Sequence, residues 1–218
     1  MLKMPGVALL LLLSGFAGAL LHPLTILPRL EAETPARALA APAETTAIAG
    51  KDDEELARLY KEDQDDRAPL EKEGKPIDWS VVAQRDEARL ARVKELYAAN
   101  RLRTGADYYH AAMVLQHAQV PEDFLLAHEL CVAAIGKGEE RAKWLAAASQ
   151  DRYLMNIGRP QRFGTQYKND GPGTVWYLYQ TDGGVTDELR KAYNVPSLDK
   201  AKERVAEINK RMNPNPKG

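Results

Sequence analysis

The sequence has few of the features that assign a chemistry directly. It contains a single cysteine, Cys131, among its 218 residues, so an internal disulfide is excluded. Cys131 stands between apolar neighbours, which is typical of a small buried side chain rather than of a nucleophile. The formal net charge is −1, from 30 basic and 31 acidic residues. That balance provides no basic excess, and we expect neither nucleic acid nor an anionic membrane surface as a partner.

Several catalytic and ligand-binding motifs are also missing. The chain has no Gly-x-Ser-x-Gly nucleophile elbow and no glycine pattern of a nucleotide-binding loop. The acidic stretch at residues 51–67 lacks the central glycine of a calcium loop, so it is typical of a solvated helix face. His110 and His117 are seven residues apart, which is too far for adjacent zinc ligands on one helix. No metal and no cofactor are therefore expected.

Residues 1–27 have the composition of an export signal or membrane anchor. Lys3 precedes a long apolar run, and the next lysine, arginine or acidic residue is Arg29. Two small-x-small tripeptides, Ala17-Gly18-Ala19 and Ala38-Leu39-Ala40, are of the kind that precedes a signal-peptide cleavage site. At about 17–20 residues the run also has the length of a membrane-spanning anchor. We expect an exported protein of the periplasm or cell envelope, with the signal either cleaved or retained.

The following segment, residues 28–50, is rich in alanine, proline, glutamate and threonine and predicts a disordered linker. Beyond it, apolar residues recur with a helical period, and glycine and proline mark the breaks. Five helices are predicted there: the first begins near residue 52 and is broken by Gly74 and Pro76, and the others lie near residues 78–100, 106–118, 121–136 and 139–157.

The C-terminal part changes character. Two β-prone runs on either side of "NDGPG" predict a β-hairpin near residues 161–180. Thr186 and Ser197 each have a residue type that begins helices, so two short helices follow the hairpin. The predicted fold is mainly α: residues 51–213 form a single domain, a bundle of about five helices with a small C-terminal hairpin and two short helices.

All five predicted bundle helices carry polar side chains on their apolar faces. A buried polar atom without a partner costs about 1–3 kcal/mol, and an unpaired charge costs more. We therefore expect these side chains to meet in an internal polar cluster, in which aspartates pair with arginines or histidines. The residues are Asp63, Arg67, Asp86, Arg89, His110, Gln116, His117, His128 and Asp151.

Several of these residues belong to short motifs whose order and spacing resemble those of a bacterial family of unknown function. Members of that family carry Asp-Gln, then Gln-His-Ala or Gln-His-Gly, then Asp-Arg, then Gln-x-aromatic-Gly-Thr-Gln. The resemblance covers roughly residues 55–200; it implies that the motifs share a site, and it implies no reaction. The matching residues are Asp63-Gln64 with Arg67, Gln116-His117-Ala118, Asp151-Arg152 and Gln161-x-Phe163-Gly164-Thr165-Gln166.

The residues of the polar cluster are consistent with three alternative functions. In the first, the polar cluster is structural and the protein is an envelope binding or scaffold module. In the second, the protein is a hydrolase-like enzyme in which His117 is a general base oriented by Asp151 or Asp63, while Arg152 stabilises an anion. In the third, arginines of the cluster hold a small anionic ligand. For a ligand or substrate, the candidate binding residues are Asp63, Arg67, Gln116, Gln161, Thr165 and Gln166.

Overall fold

The computed structural model describes residues 50–73, 77–171 and 173–212. It confirms the predicted fold class, a mainly helical bundle with a small hairpin near the C-terminus. The elements in chain order are α1 (Glu54–Glu73), α2 (Trp79–Ala98), α3 (Gly105–Leu115), α4 (Pro121–Gly136), α5 (Ala142–Asn156), β1 (Tyr167–Lys168), β2 (Tyr177–Leu178), α6 (Asp187–Ala192) and α7 (Leu198–Met212).

The predicted N-terminal features lie outside this description. Residues 1–27 and the predicted linker, apart from Gly50, are not among the described residues. Among the helices that are described, none combines the length and the apolar character that a membrane crossing requires.

Local signals in the sequence fix where the helices begin. The Asp78 carboxylate accepts hydrogen bonds from the backbone N–H groups of Ser80 and Val81 and so caps α2. Thr104 and Asp107 form a reciprocal capping box at the start of α3. Pro121 occupies the first turn of α4, where its missing N–H costs nothing.

The core of the bundle consists of aliphatic side chains and many alanines. Helix α4 packs against both α3 and α5, while α1 and α2 lie against α3. The small side chains allow a close approach: a Cβ atom built on Gly105 would lie only 2.9 Å from Cβ of Glu139. The fully buried residues of this core include Leu56, Val93, Ala111, Ala112, Leu115, Ala127, Cys131, Ala134 and Ala146.

The hairpin is short, and side-chain amides form hydrogen bonds with backbone groups next to its two strands. β1 and β2 are antiparallel and pair Tyr167 with Leu178 and Lys168 with Tyr177. Helix α7 is fixed to the second strand region by one amide: Asn209 Oδ1 accepts from the backbone N–H of Trp176 at 2.7 Å, and Asn209 Nδ2 donates to the Trp176 carbonyl at 2.9 Å. The hairpin and α7 are thus connected to each other by hydrogen bonds in the C-terminal part of the chain.

Candidate functional site

An ion network lies between α1 and α2 and reaches the end of α3. Arg67, whose side chain is 2% exposed, donates through Nη1 to Asp63 Oδ1 at 2.9 Å and through Nη2 to Asp86 Oδ2 at 2.7 Å. Asp86 also accepts from Arg89 Nη2 at 2.7 Å. The predicted pairing of these aspartates with arginines is therefore present in the fold, and it joins the first two helices by buried charges.

The network continues outward through two residues that sequence reasoning missed. Asp66 Oδ2 accepts from Arg89 Nη1 at 2.8 Å, and Asp66 Oδ1 accepts from Arg85 Nη1 at 2.6 Å. Both residues line an open groove between α1 and α2, whose other lining residues are Leu59, Glu62, Asp65, Ala88 and Arg89. Asp66 follows Asp65 in an acidic run, so a solvated face was the simplest interpretation of this segment.

His117 follows the end of α3 and is sealed from solvent, with a side chain that is 2% exposed. Its Nε2 lies 3.3 Å from Asp63 Oδ1, but neither ring nitrogen has a hydrogen bond with acceptable geometry. Burial lowers the pKa of His117, and Asp63 opposes that shift. Burial alone would raise the pKa of Asp63, but the interactions of its carboxylate with His117, Arg67 and Gln64 outweigh that effect and hold the pKa below its usual value.

Arg152 lies on α5 and contacts Gln116, the residue that precedes His117 at the end of α3. Its Nη1 donates to Gln116 Oε1 at 2.7 Å, and Gln116 Nε2 in turn contacts Met113 Sδ at 3.4 Å. The residue is 4% exposed. Burial and the nearby Arg67 guanidinium lower the pKa of Arg152 to about 10, while Asp151 opposes the shift. Arg152 consequently remains a cation at neutral pH inside the protein.

Asp151 faces the segment after α5 rather than His117. Its Oδ1 accepts from the backbone N–H groups of Arg162 at 2.7 Å and Phe163 at 2.9 Å. Its Oδ2 accepts from the backbone N–H and the hydroxyl of Thr165 at 3.0 and 2.8 Å. Burial raises the pKa of Asp151, and these four donors oppose the shift. The carboxylate is thus saturated by the turn that leads into the hairpin.

The remaining predicted binding residues belong to the same turn. Gln161 Nε2 donates to the carbonyls of Gln166 and Tyr179, and its Oε1 accepts from the backbone N–H of Gln166. Gln166 Nε2 donates to the Thr165 hydroxyl at 2.9 Å and to the Ala148 carbonyl at 3.3 Å. Gln161, Thr165 and Gln166 are therefore engaged in holding the hairpin to α5.

Arg190 of α6 completes this turn and was not found from the sequence. Its guanidinium, on a residue that is 2% exposed, donates to the carbonyls of Phe163, Val185 and Arg162. In this turn, the Asp151 carboxylate therefore accepts from the backbone N–H groups, and the Arg190 guanidinium donates to the backbone carbonyls.

The other two histidines of the predicted cluster lie elsewhere. His110 stacks on Tyr60 with ring centroids 4.5 Å apart, and His128 Nδ1 lies 2.8 Å from the Ala146 carbonyl. The single predicted cluster is thus two adjoining groups, the ion network with His117 and the turn around Asp151, with Arg152 between them. Among the described residues, no group of three or more histidine, cysteine or acidic side chains is placed to hold a metal ion.

Of the two carboxylates that we expected to orient His117, only Asp63 contacts its ring within the described part of the chain. The predicted catalytic set of His117, Asp151 and Arg152 is not assembled as one unit. All three side chains are buried, and each has a different neighbour.

No protein-family model matches this chain, and no curated protein and no solved structure matches it either. The resemblance to the bacterial family of unknown function therefore stays a prediction.

Proposed function

We propose that the chain is an exported protein of the periplasm or cell envelope and that its helical domain is a non-catalytic binding or scaffold module. Residues 1–27 act as a cleaved signal or as an N-terminal anchor, and residues 28–50 act as a linker.

The occupancy of Asp151 carries the non-catalytic part of the proposal. A general base needs a carboxylate or another acceptor that orients it, and the orienting group must be within hydrogen-bond reach. Four donors from the turn at residues 162–165 occupy Asp151. His117 has only the off-line contact with Asp63 and lies away from solvent. Asp151 and His117 are therefore not arranged as a base and its orienting carboxylate, and we assign Asp151 a role in stabilising the fold.

A substrate screen tests this part. The purified protein is assayed with ester, amide, phosphate and glycoside substrates, and we expect no turnover above the buffer rate. His117→Gln is the matched variant, because it removes the proposed base and keeps a polar side chain of similar size. Turnover that His117→Gln abolishes at unchanged thermal stability would establish the hydrolase-like alternative instead.

A reporter fusion tests export. Alkaline phosphatase, which folds only in an oxidising compartment, is fused to the C-terminus of the full chain in bacterial cells. We expect phosphatase activity from the full chain and none from a double variant, Leu11→Arg and Leu12→Arg, which interrupts the apolar run. Equal activity from both fusions would contradict export through residues 1–27.

A further inference from the structure

Two buried histidines contact α1 from α3 and from the residues that follow it. His110 on α3 stacks on Tyr60 of α1, with ring centroids 4.5 Å apart and ring planes inclined by 15°. His117, just beyond the end of α3, places its Nε2 3.3 Å from Asp63 Oδ1 of α1. Both histidines are buried. The contact between α1 and α3 therefore includes two side chains of the type that takes up a proton close to neutral pH.

Both imidazole rings lack hydrogen-bond partners in this arrangement. Nδ1 of His110 and both ring nitrogens of His117 are buried without a hydrogen bond. An imidazolium donates from both nitrogens, so a proton added here would create a buried cation with unsatisfied donors. The packing of α1 on α3 therefore favours the neutral rings, and burial lowers the pKa of both histidines.

The Asp63 carboxylate compensates a charge on His117 only in part. Its Oδ1 already accepts from Arg67 Nη1 at 2.9 Å, and its Oδ2 accepts from Gln64 Nε2 at 2.7 Å. Protonation of His117 would place a second cation beside a carboxylate that already balances one. Because Arg67 is itself buried, the two positive charges would not be separated by water.

Other charged and titratable groups surround the two rings, and burial has the largest effect on both pKa values. The acidic groups, which favour the proton, are Asp52, Asp107 and Glu139 beside His110, and Asp63 and Asp86 beside His117. The arginines, which disfavour it, are Arg141 beside His110 and Arg67 beside His117. The phenols of Tyr60 and Tyr109 lie against the His110 ring, and Arg152 of α5 donates to Gln116, the residue before His117.

The part of α1 that the histidines contact has few apolar anchors. We call residues 60–68 the charged segment of α1. Its fully buried residues are Asp63 and Arg67, whereas the preceding turns bury the aliphatic side chains of Leu56 and Leu59. No fully buried aliphatic side chain thus holds the charged segment, and its position depends on the two histidine contacts.

We propose that this contact is an acid-sensitive switch: protonation of His110 and His117 releases the charged segment of α1 from α3 while the core of α3, α4 and α5 stays folded. The Arg67 pair with Asp86 keeps the released segment on α2. Release uncovers polar groups, including Asp63 and His117, that are sealed from solvent at neutral pH. This inference goes beyond the binding-module proposal and does not depend on it.

The direction of the switch follows from proton linkage. In the released form both rings reach water, and their pKa values return toward 6.5. Release therefore takes up protons, and its equilibrium constant increases as the pH falls below 6.5. Between pH 7.5 and 5.5 each histidine contributes a factor of up to about 10, and the two together up to about 100. Exposed carboxylates stay ionised throughout this range.

Hydrogen–deuterium exchange of the full chain, followed by mass spectrometry of its peptides, tests the switch. Exchange is measured at pH 7.5 and 5.5, and each rate is divided by the intrinsic rate of the same peptide at that pH. We expect the corrected rate of the charged segment to rise by a factor of about 10–100 on acidification. At both pH values it should exceed the rates of α4 and α5 by more than about tenfold, since release does not require unfolding of the core.

Histidine variants assign the effect. The double variant His110→Gln with His117→Gln removes both protonation sites, so the corrected rate of its charged segment should change by less than about threefold. His128→Gln is the matched control, because His128 Nδ1 contacts the Ala146 carbonyl of α5. It should retain the full increase, and circular dichroism verifies that each variant folds. If the double variant does not fold, each single variant keeps one site and should show about a tenfold increase in place of about 100-fold.

Three results overturn the inference. The first is a corrected rate in the charged segment that is the same at pH 7.5 and 5.5. The second is a rate equal to those of α4 and α5 at pH 5.5, because the whole domain then unfolds together. The third is a full increase in the folded double variant, or in both single variants, because other groups then take up the protons.

Discussion

Arg67 Nη2 lies 2.7 Å from Asp86 Oδ2, and this buried contact joins α1 to α2. Asp86 also holds Arg89, so one carboxylate compensates two guanidinium groups that are almost completely buried. Removing one partner of a buried pair leaves an uncompensated charge, which costs much more than an exposed pair contributes. The stability of the fold should therefore be sensitive to the loss of a charged side chain from this network.

The first prediction concerns this balance. Asp86→Ala should lower the free energy of unfolding by about 1.5–3 kcal/mol, because Arg67 and Arg89 each lose one carboxylate partner and keep only Asp63 and Asp66, respectively. Asp65→Ala is the control, since its exposed pair with Lys61 should contribute less than about 0.5 kcal/mol. Urea denaturation monitored by circular dichroism measures both changes. Equal effects of the two substitutions would contradict a buried network.

The second prediction concerns the turn after α5. Asp151→Asn should destabilise the protein by about 3 kcal/mol, because the new amide N–H₂ would face the N–H and hydroxyl donors of Thr165. Asp199→Asn, on the exposed side of α7, should stay within about 0.5 kcal/mol. Thermal or urea denaturation distinguishes them. A small effect of Asp151→Asn would mean that the four donors do not hold the turn.

The third prediction concerns pH. The pKa of His117 is below 6.5 in the folded chain because of burial, so the unfolded chain binds this proton first. Stability should therefore fall as the pH decreases from 6.5 through the folded pKa, and His117→Gln should reduce that slope. His110 also has a pKa lowered by burial, so the double variant with His110→Gln should have the flattest profile. Urea denaturation at pH 7.5, 6 and 5 gives the slopes, and an unchanged slope in the double variant would contradict it.

The fourth prediction concerns the contact of α3 with α4. Gly105→Ala places its Cβ 2.9 Å from Glu139 Cβ and 3.3 Å from the Ala134 carbonyl oxygen, so a loss of about 1–3 kcal/mol is expected. Gly136→Ala meets nothing within 4 Å and should be neutral or stabilise the protein by up to about 1 kcal/mol. Melting temperatures of the two variants test the contrast, and similar shifts in both would refute it.

Much of the architecture was predictable because its signals are local. Asp78, Thr104 and Pro121 begin helices within one turn of themselves, and the observed starts follow them. The end of α1 was predictable too: the helix ends at Glu73, directly before Gly74, which together with Pro76 is the predicted break.

The polar side chains were found by helical periodicity, which fixes a face but not a partner. Periodicity places His110 and His117 on one helix face, but α3 ends at Leu115, so His117 lies beyond the helix while His110 stacks on Tyr60. Asp151 lies on the apolar face of α5 as expected, but its contacts come from the turn that follows the helix in the chain. The spacing of residues within a helix does not show which other segment of the chain will contact their side chains.

The missed residues differ in whether any signal existed. Asp107 stands three residues after Thr104, which is the spacing of a capping box and was available in the sequence. Arg190 had no comparable signal, because the carbonyls of Arg162 and Phe163 that it contacts come from a distant part of the chain. Its burial follows from tertiary structure alone.

The carboxylate of Asp107 has a mechanical consequence. Its Oδ1 accepts from the backbone N–H of Asp53 at 2.7 Å, and its Oδ2 accepts from the N–H groups of Arg103 and Thr104 at 3.0 Å. A pulling force applied to the chain at Gly50 would act on the hydrogen bond between Asp53 and Asp107 before it could unfold α1 from its N-terminal end. The tension would pass through this carboxylate to the start of α3, and from there to the middle of the bundle.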